Sequence, residues 1–291
     1  MSENTFRLVL CTNGHEPTRP ALDYGIWLAG LLQAPVLLLG VLEHEEDRQT
    51  LDRLLAETAG RLAGEGIEFE QLVRTGRASI QISEQVCDGN SLTVFGPFGR
   101  PLWRRWVRGR TFRRLLARIS TPMIYVPEAR IPLKQALVCM GGLGHAFSME
   151  HLVLNLARVT GASITLLNVV EPVTLAYPVA QEVHTHLDAL LKTDTPQGRN
   201  LSLALEEARG EGLEVKMKVR HGSVVSEILE EVREGDYDLV GLGSPYSAQS
   251  LRHLYMPNVT AEVAEAIDRP VLTVRSGEDV TIWNKLYSGN P

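Results

Sequence analysis

The sequence contains few cysteines and no long apolar segment. Only three of its 291 residues are cysteine, and two of these, Cys11 and Cys139, lie in apolar runs separated by 128 residues. We interpret both as buried thiols in a reducing compartment rather than as a disulfide pair. No stretch approaches the ~18 consecutive apolar residues of a membrane-spanning helix, and the apolar run near the start is too short for a secretory signal. A cytoplasmic protein without a membrane span is therefore expected.

Familiar catalytic motifs are also missing. The chain has no Gly-x-Ser-x-Gly elbow, no Gly-Lys-Ser/Thr phosphate loop and no Cys-x-x-Cys pair. His184 and His186 have no cysteine cluster or acidic partner at metal-ligand spacing, which favours an exposed helix face over a metal site. We therefore expect a non-enzymatic protein without a metal site, and slow ATP hydrolysis remains an alternative.

The charge balance argues against general binding of nucleic acid. The formal net charge is −6 at pH 7, whereas nucleic-acid-binding domains are typically basic. One segment differs, because eight arginines and no acidic residue occur from Arg100 to Arg118, with Trp103 and Trp106 among them. This arginine segment is either a solvated face or a surface for an anion, since neighbouring like charges repel one another and a bound anion relieves the repulsion.

An internal repeat is the most informative feature that is present. Residues 64–76 and 210–222 are identical at seven of thirteen positions. A second pair, residues 34–43 and 162–171, matches at a shift of 128 residues instead of 146, which predicts an 18-residue insertion in the second copy. Copies of about 130 residues have the size of ordinary domains and not of solenoid repeats.

Each copy alternates strand patterns with helix patterns. Continuous apolar runs such as residues 36–42 and 164–170 are typical of strands covered on both faces. Residues 51–62 carry apolar side chains at intervals of three and four, as in an amphipathic helix that ends at Gly64. This order predicts an α/β fold with two doubly wound, five-stranded parallel-sheet domains in tandem.

The repeat also sets the predicted domain boundaries. Residues 1–129 form the first domain, and residues 130–276 form the second, with the 18-residue insertion falling within about 172–209. The predicted linker is Pro127 to Leu133, and residues 277–291 form a C-terminal tail without a counterpart in copy one.

The loops after the first and fourth strands of copy one carry the candidate binding residues. In doubly wound sheets, ligands bind at the carboxyl ends of strands, where the strand order reverses. Glycines there let backbone amides approach phosphate oxygens, and the start of the next helix adds a favourable dipole. The candidate binding residues are Asn13, Gly14, Gly96, Gly99, Arg100, Gly109, Arg110 and Thr111.

The spacing of these glycines is characteristic. Gly96 is followed by two residues and Gly99, then by nine residues and Gly109. This pattern resembles the universal stress protein family, whose ATP-binding members carry glycines at these intervals, followed by serine or threonine. Asn13-Gly14 also stands where that family has Asp-Gly. With the strand order, the resemblance covers almost the whole chain.

The resemblance has several implications for function. It implies a tandem, non-enzymatic universal stress protein whose domains are Rossmann-like, of the adenine nucleotide alpha hydrolase-like type, with a role in the stress response. Its implied ligand is ATP or another adenine nucleotide, with or without magnesium. Because members often dimerise through their last strands, Met123 to Val126 and Val271 to Val274 are expected to face each other in an intramolecular pseudo-dimer. A homodimer remains a further alternative.

Copy one departs from the family pattern at two positions. Asn13 replaces the usual aspartate, so a carbonyl acceptor is kept but the charge is lost. Arg110 occupies the hydroxyl position, and Thr111 could supply that hydroxyl one residue later. Arg110 either clamps a phosphate with two hydrogen bonds or simply fills the site.

Copy two has lost the glycine pattern. Tyr246 and Met256 occupy the positions of the second and third glycines, and both side chains take up space that phosphates would need. We therefore expect one nucleotide per chain. The alternative function is a nucleotide-independent adaptor that holds a protein, lipid or other anionic partner through the arginine segment or the insertion.

Overall fold

The computed structural model describes most of the chain as strands and helices. The described residues are 6–86, 90–98, 110–119, 121–140, 147–170, 202, 205–206, 209–210, 212–244 and 259–275. They form two compact units, one drawn from residues 1–131 with 268–291 and the other from residues 132–267. Strands alternate with helices in both units, which confirms the predicted α/β class.

The first unit contains a mainly parallel sheet. Its strands are β1 (Arg7–Thr12), β2 (Val36–Leu42), β3 (Phe69–Thr75), β4 (Ser91–Phe95), β5 (Met123–Tyr125) and β10 (Val271–Arg275). Its helices are α1 (Arg19–Leu32), α2 (Arg48–Gly64), α3 (Ala78–Gln85) and α4 (Arg110–Arg118), with short 3-10 turns at Glu16–Thr18 and Glu45–Asp47. The strand order is β3-β2-β1-β4-β5-β10, and only the last pair is antiparallel.

The buried residues of this unit follow the sequence pattern. Every residue of β2 is buried, as expected of a strand covered on both faces. On α2, the buried residues are Leu51, Leu54, Leu55, Thr58 and Leu62, and the helix ends at Gly64 as predicted. Burying each leucine contributes about 1.5–3 kcal/mol, so this stripe holds α2 firmly against the sheet.

The second unit repeats the same plan. Its strands are β6 (Gln135–Met140), β7 (Ser163–Val170), β8 (Val215–His221) and β9 (Leu239–Ser244), and its helices are α5 (Phe147–Thr160), α6 (Val224–Glu234) and α7 (Val259–Ala266). The four strands are parallel in the order β9-β6-β7-β8. The predicted insertion lies almost entirely outside the described residues.

Equivalent positions of the repeat adopt equivalent structures. Gly76 after β3 has a φ of +134°, and Gly222 after β8 has a φ of +154°, a conformation that side chains with a Cβ rarely adopt. Cys11 in β1 and Cys139 in β6 are both buried and unpaired, as predicted. The identical residues of the two copies therefore mark the same turns and strands.

The last strand is grouped differently from the predicted boundary. The sequence places Val271 to Val274 in the second domain, but β10 lies with the first unit because it forms an antiparallel ladder with β5. In this ladder Val271 is opposite Tyr125 and Thr273 is opposite Met123. The two predicted fifth strands are therefore paired directly through their backbones, and the intramolecular pseudo-dimer stays a prediction.

Candidate functional site

The candidate site lies where the strand order of the first sheet reverses. β1 pairs with β2 on one side and with β4 on the other, and Cys11 is opposite Phe95 in the ladder of β1 and β4. Asn13 and Gly96 directly follow these strands, so both loops begin at the same edge of the sheet. This is the position at which doubly wound sheets bind ligands.

Hydrogen bonds hold the loop after β1 in one conformation. The hydroxyl oxygens of Thr12 and Thr18 are 2.6 Å apart, and the Thr18 hydroxyl donates to the backbone oxygen of His15 over 2.8 Å. The Gly14 amide donates to the Thr12 hydroxyl oxygen over 3.0 Å. Because Thr12 and Thr18 are fully buried, these bonds are shielded from water and fix the loop against the start of α1.

Two glycines are required by close backbone contacts. Gly14 has a φ of +84°, and a Cβ on it would lie 2.5 Å from backbone atoms of Leu51 in α2. A Cβ on Gly96 would lie 2.9 Å from the backbone oxygen of Pro17 and 3.1 Å from the Cα of Thr18. The loop after β4 therefore packs directly on the turn that leads into α1, and these glycines have a structural role beside their predicted role in binding.

Asn13 is the polar side chain at the tip of β1. It is only 6% exposed, and its Oδ1 accepts a hydrogen bond from the His15 amide over 3.3 Å. A backbone N–H needs an acceptor, so this bond fixes which end of the side-chain amide is the oxygen. The side chain is thus held in place by the loop that it belongs to.

The structure adds a contact that the sequence did not indicate. Nε2 of His15 lies 3.5 Å from Oδ1 of Asp47, and both side chains are mostly buried. Asp47 ends the 3-10 turn after β2, so the contact joins the loop after β1 to the loop after β2. The available signal was topological, because the carboxyl ends of neighbouring parallel strands meet at one edge.

The remaining predicted residues are only partly described. Gly99, Arg100 and Gly109 lie outside the described residues, and Arg110 and Thr111 are described as the first turn of α4 without their side chains. The described helix α4 begins at Arg110, and the role of these residues in phosphate binding stays a prediction.

An aromatic cluster attaches α4 to the sheet. Phe112 of α4 lies 6.1 Å from Phe95 and 5.1 Å from Tyr125, measured between ring centroids. All three rings are buried. The start of α4 is thereby held beside the carboxyl ends of β4 and β5, next to the candidate site.

The described residues contain little that favours other chemistry. Burial raises the pKa of the Cys11 and Cys139 thiols far above the ordinary range, so neither forms the thiolate that acts as a nucleophile. No group of three or more His, Cys, Asp or Glu residues suited to a metal ion occurs within the described ranges. Within the same ranges, no helix is both long enough and apolar enough to cross a bilayer. His184, His186, Tyr246 and Met256 lie outside the described residues.

Comparison with known proteins finds a family match in the second half of the chain. Residues 132–275 match the model of the Universal stress protein family. This match covers the copy whose glycine pattern has been lost, and the resemblance of copy one to the family stays a prediction. A comparison with curated protein sequences finds no match.

Solved structures resemble the chain over nearly its whole length. A universal stress protein from Archaeoglobus fulgidus DSM 4304 is 17% identical, with a TM-score of 0.71 and coverage of 93% of this chain and 98% of that one. A protein of unknown function from Pseudomonas aeruginosa PAO1 is 15% identical, with a TM-score of 0.69 and coverage of 99% of both chains. At these identities the likeness concerns the fold, and it confirms the predicted α/β architecture.

Proposed function

We propose that the chain is a tandem universal stress protein that binds one adenine nucleotide, at the candidate site of its first copy, and acts without catalysis. The family match of residues 132–275 supports the stress-protein assignment, and the internal repeat extends it to the first copy. In this proposal the protein responds to stress through its nucleotide-bound state.

The position of Asn13 carries the proposal. This buried polar side chain lies where the strand order reverses. The nearby Gly14 and Gly96 have no side chain that would cover their backbone amides. Hydrogen bonds hold the loop after β1 in place without a ligand, so little conformational entropy of this loop is lost on binding. A preformed polar end of the sheet next to a helix start suits a phosphorylated ligand.

Isothermal titration calorimetry with ATP, with and without magnesium, tests the proposal. We expect a stoichiometry of one ATP per chain, because only copy one retains all three glycines. Gly99→Val should abolish binding, since a β-branched side chain would block the approach of phosphate to the backbone. Met256→Gly, which restores one glycine of copy two, should leave the stoichiometry unchanged, and two equivalent sites would contradict the proposal.

A second candidate function rests on the outer face of α4. Arg113, Arg114 and Arg118 are exposed, whereas Phe112, Leu115 and Leu116 of the same helix are buried. This basic face favours an anionic partner.

A separate test concerns Arg108 and Arg110, at the end of the arginine segment that precedes this face. Replacing Arg108 and Arg110 by glutamine should raise the melting temperature of the ligand-free protein and abolish the rise caused by ATP or polyphosphate. If the ligand still raises the melting temperature by the same amount, Arg108 and Arg110 belong to a solvated face and not to a binding site.

A further inference from the structure

The orientation of the Asn13 amide sets the hydrogen-bonding character of the candidate site. Oδ1 already accepts the His15 amide, which leaves Nδ2 and its two hydrogens as the free end of the side chain. Within the described residues no acceptor bonds to Nδ2, and Nδ2 is not among the fully buried side-chain atoms that lack a partner, so this atom keeps some exposure.

The surrounding loop prevents the side chain from turning over. Rotation of the amide would place Nδ2 against the His15 N–H, so that two donors face each other and a partly buried hydrogen bond is lost. The bonds of Thr12 and Thr18 hold the His15 backbone in place, and the contact of Gly14 with Leu51 holds the loop against α2. The site therefore presents a fixed donor.

An aspartate at this position would reverse that character. With one carboxylate oxygen on the His15 amide, its second oxygen would present an acceptor and a negative charge to the same space. The two side chains have nearly the same shape, so the difference between them is one of hydrogen-bond polarity and charge.

We propose that Asn13 is a specificity-determining residue that selects a nucleotide through an acceptor atom on the ligand, to which Nδ2 donates. This inference rests on the proposed function. The acceptor is a phosphate, sugar or base atom that lies against the end of β1. Binding through a neutral amide leaves this contact unchanged across the pH range in which a carboxyl group titrates.

Asn13→Asp tests the inference when ATP affinity is measured by calorimetry at several pH values. At about pH 8 we expect the variant to bind ATP at least tenfold more weakly than the wild type, because a donor is lost and a repulsive charge is gained. As the pH falls through about 3.9, the ordinary pKa of an aspartate, the carboxyl group gains a proton and becomes a donor, so the ratio of the two affinities should return towards one. Dividing the affinity of the variant by that of the wild type at each pH cancels the effect of ATP protonation on binding.

Two further variants serve as controls. Asn90→Asp makes the same change at the opposite end of β4, where the Asn90 backbone oxygen accepts the Arg7 amide, and should leave ATP affinity unchanged. Asn13→Ser keeps a hydroxyl donor without a charge and should bind ATP more tightly than Asn13→Asp at about pH 8. Thermal unfolding of each variant checks that it is folded.

The outcomes separate this inference from the proposed function. If the wild type binds no ATP, the proposed function fails and the inference falls with it. If the wild type binds ATP and Asn13→Asp binds it equally well or more tightly at about pH 8, only the inference is overturned. A penalty also seen with adenosine places the acceptor on the nucleoside, and one confined to ATP places it on the phosphates.

Discussion

Gly14 illustrates how a single residue joins the backbone conformation to the packing of the site. A side chain here would suffer both the left-handed φ and a collision with the backbone of Leu51. We expect Gly14→Ala to lower the free energy of unfolding by roughly 2–4 kcal/mol, from strain and overpacking together. Urea denaturation monitored by circular dichroism measures this loss.

Gly60 provides the matched control. It lies exposed within α2, and a Cβ on it would meet nothing within 4 Å. Gly60→Ala should therefore raise the free energy of unfolding by about 0.5–1 kcal/mol through helix propensity. Equal effects of the two substitutions would contradict the close packing of the loop on α2.

Substitutions of two buried threonines are expected to have opposite effects on stability. The hydroxyl of Thr93 in β4 has no hydrogen-bond partner, whereas that of Thr18 bonds to both Thr12 and His15. Thr93→Val should leave the stability unchanged or increase it, because a buried hydroxyl without a partner is itself unfavourable. Thr18→Val should cost about 1–3 kcal/mol, since it leaves buried groups unsatisfied. Urea denaturation of both variants measures these changes. A larger loss of stability for Thr93→Val than for Thr18→Val would contradict the hydrogen bonding described for the two threonines.

At the scale of elements, a buried glutamate joins α6 to β8. The side chain of Glu231 is fully buried and accepts hydrogen bonds from Lys218 over 2.6 Å, Arg220 over 2.8 Å and Tyr237 over 2.5 Å. Burial acts to raise the pKa of Glu231, but these bonds outweigh it and leave the pKa below its ordinary value of 4.5. Burial, with the bond to Glu231, also raises the pKa of Tyr237 to about 12.

This network predicts a pH-dependent contribution to stability. The carboxylate of Glu231 stabilises the fold at pH values above 4.5, and the contribution is lost as the pH falls below 4.5 through the lower pKa of the folded state. Glu231→Gln should cost about 2–4 kcal/mol near neutral pH, because basic groups lose their buried partner. The difference from the wild type should shrink in acid.

The neighbouring Glu230 gives the control for this experiment. It is partly exposed and pairs with Arg233 on the surface of α6. Glu230→Gln should change the free energy of unfolding by no more than about 0.5 kcal/mol at any pH. If Glu231→Gln behaves in the same way, the network contributes nothing beyond a surface ion pair.

At the scale of the whole molecule, β10 joins the last part of the chain to β5 of the first unit. A break between Ile131 and Pro132 would leave the first fragment without β10 and expose the edge of β5. Each fragment should self-associate or aggregate alone, and the co-expressed fragments should form a one-to-one complex. Analytical ultracentrifugation reports both results, and two soluble monomers that ignore each other would refute the pseudo-dimer.

A charge on β10 should weaken that complex. Val271 is fully buried opposite Tyr125, so Val271→Glu buries an unpaired carboxylate. Ile131→Glu, at a position that is 43% exposed, is the matched control and should leave the association unchanged. Equal dissociation constants for the two variants would show that the ladder of β5 and β10 does not hold the fragments together.

The sequence by itself determined the features that depend on local pattern. Apolar runs predicted the strands, three-and-four spacing predicted α2 up to Gly64, and the repeated glycines at 76 and 222 predicted matching turns. These predictions succeed because burial on both faces, helical periodicity and a positive φ each require particular residue types at adjacent or regularly spaced positions. The position of Asn13 and Gly96 at one edge followed from the strand order.

Only the tertiary structure decided the contacts between distant segments. The pairing of His15 with Asp47, the bond of Thr12 to Thr18 and the burial of Glu231 depend on side chains that meet through folding and leave no periodic signal. The grouping of β10 with the first unit was also decided by the tertiary structure. The apolar pattern of a strand is the same whichever strand it pairs with, so the pattern does not identify the partner.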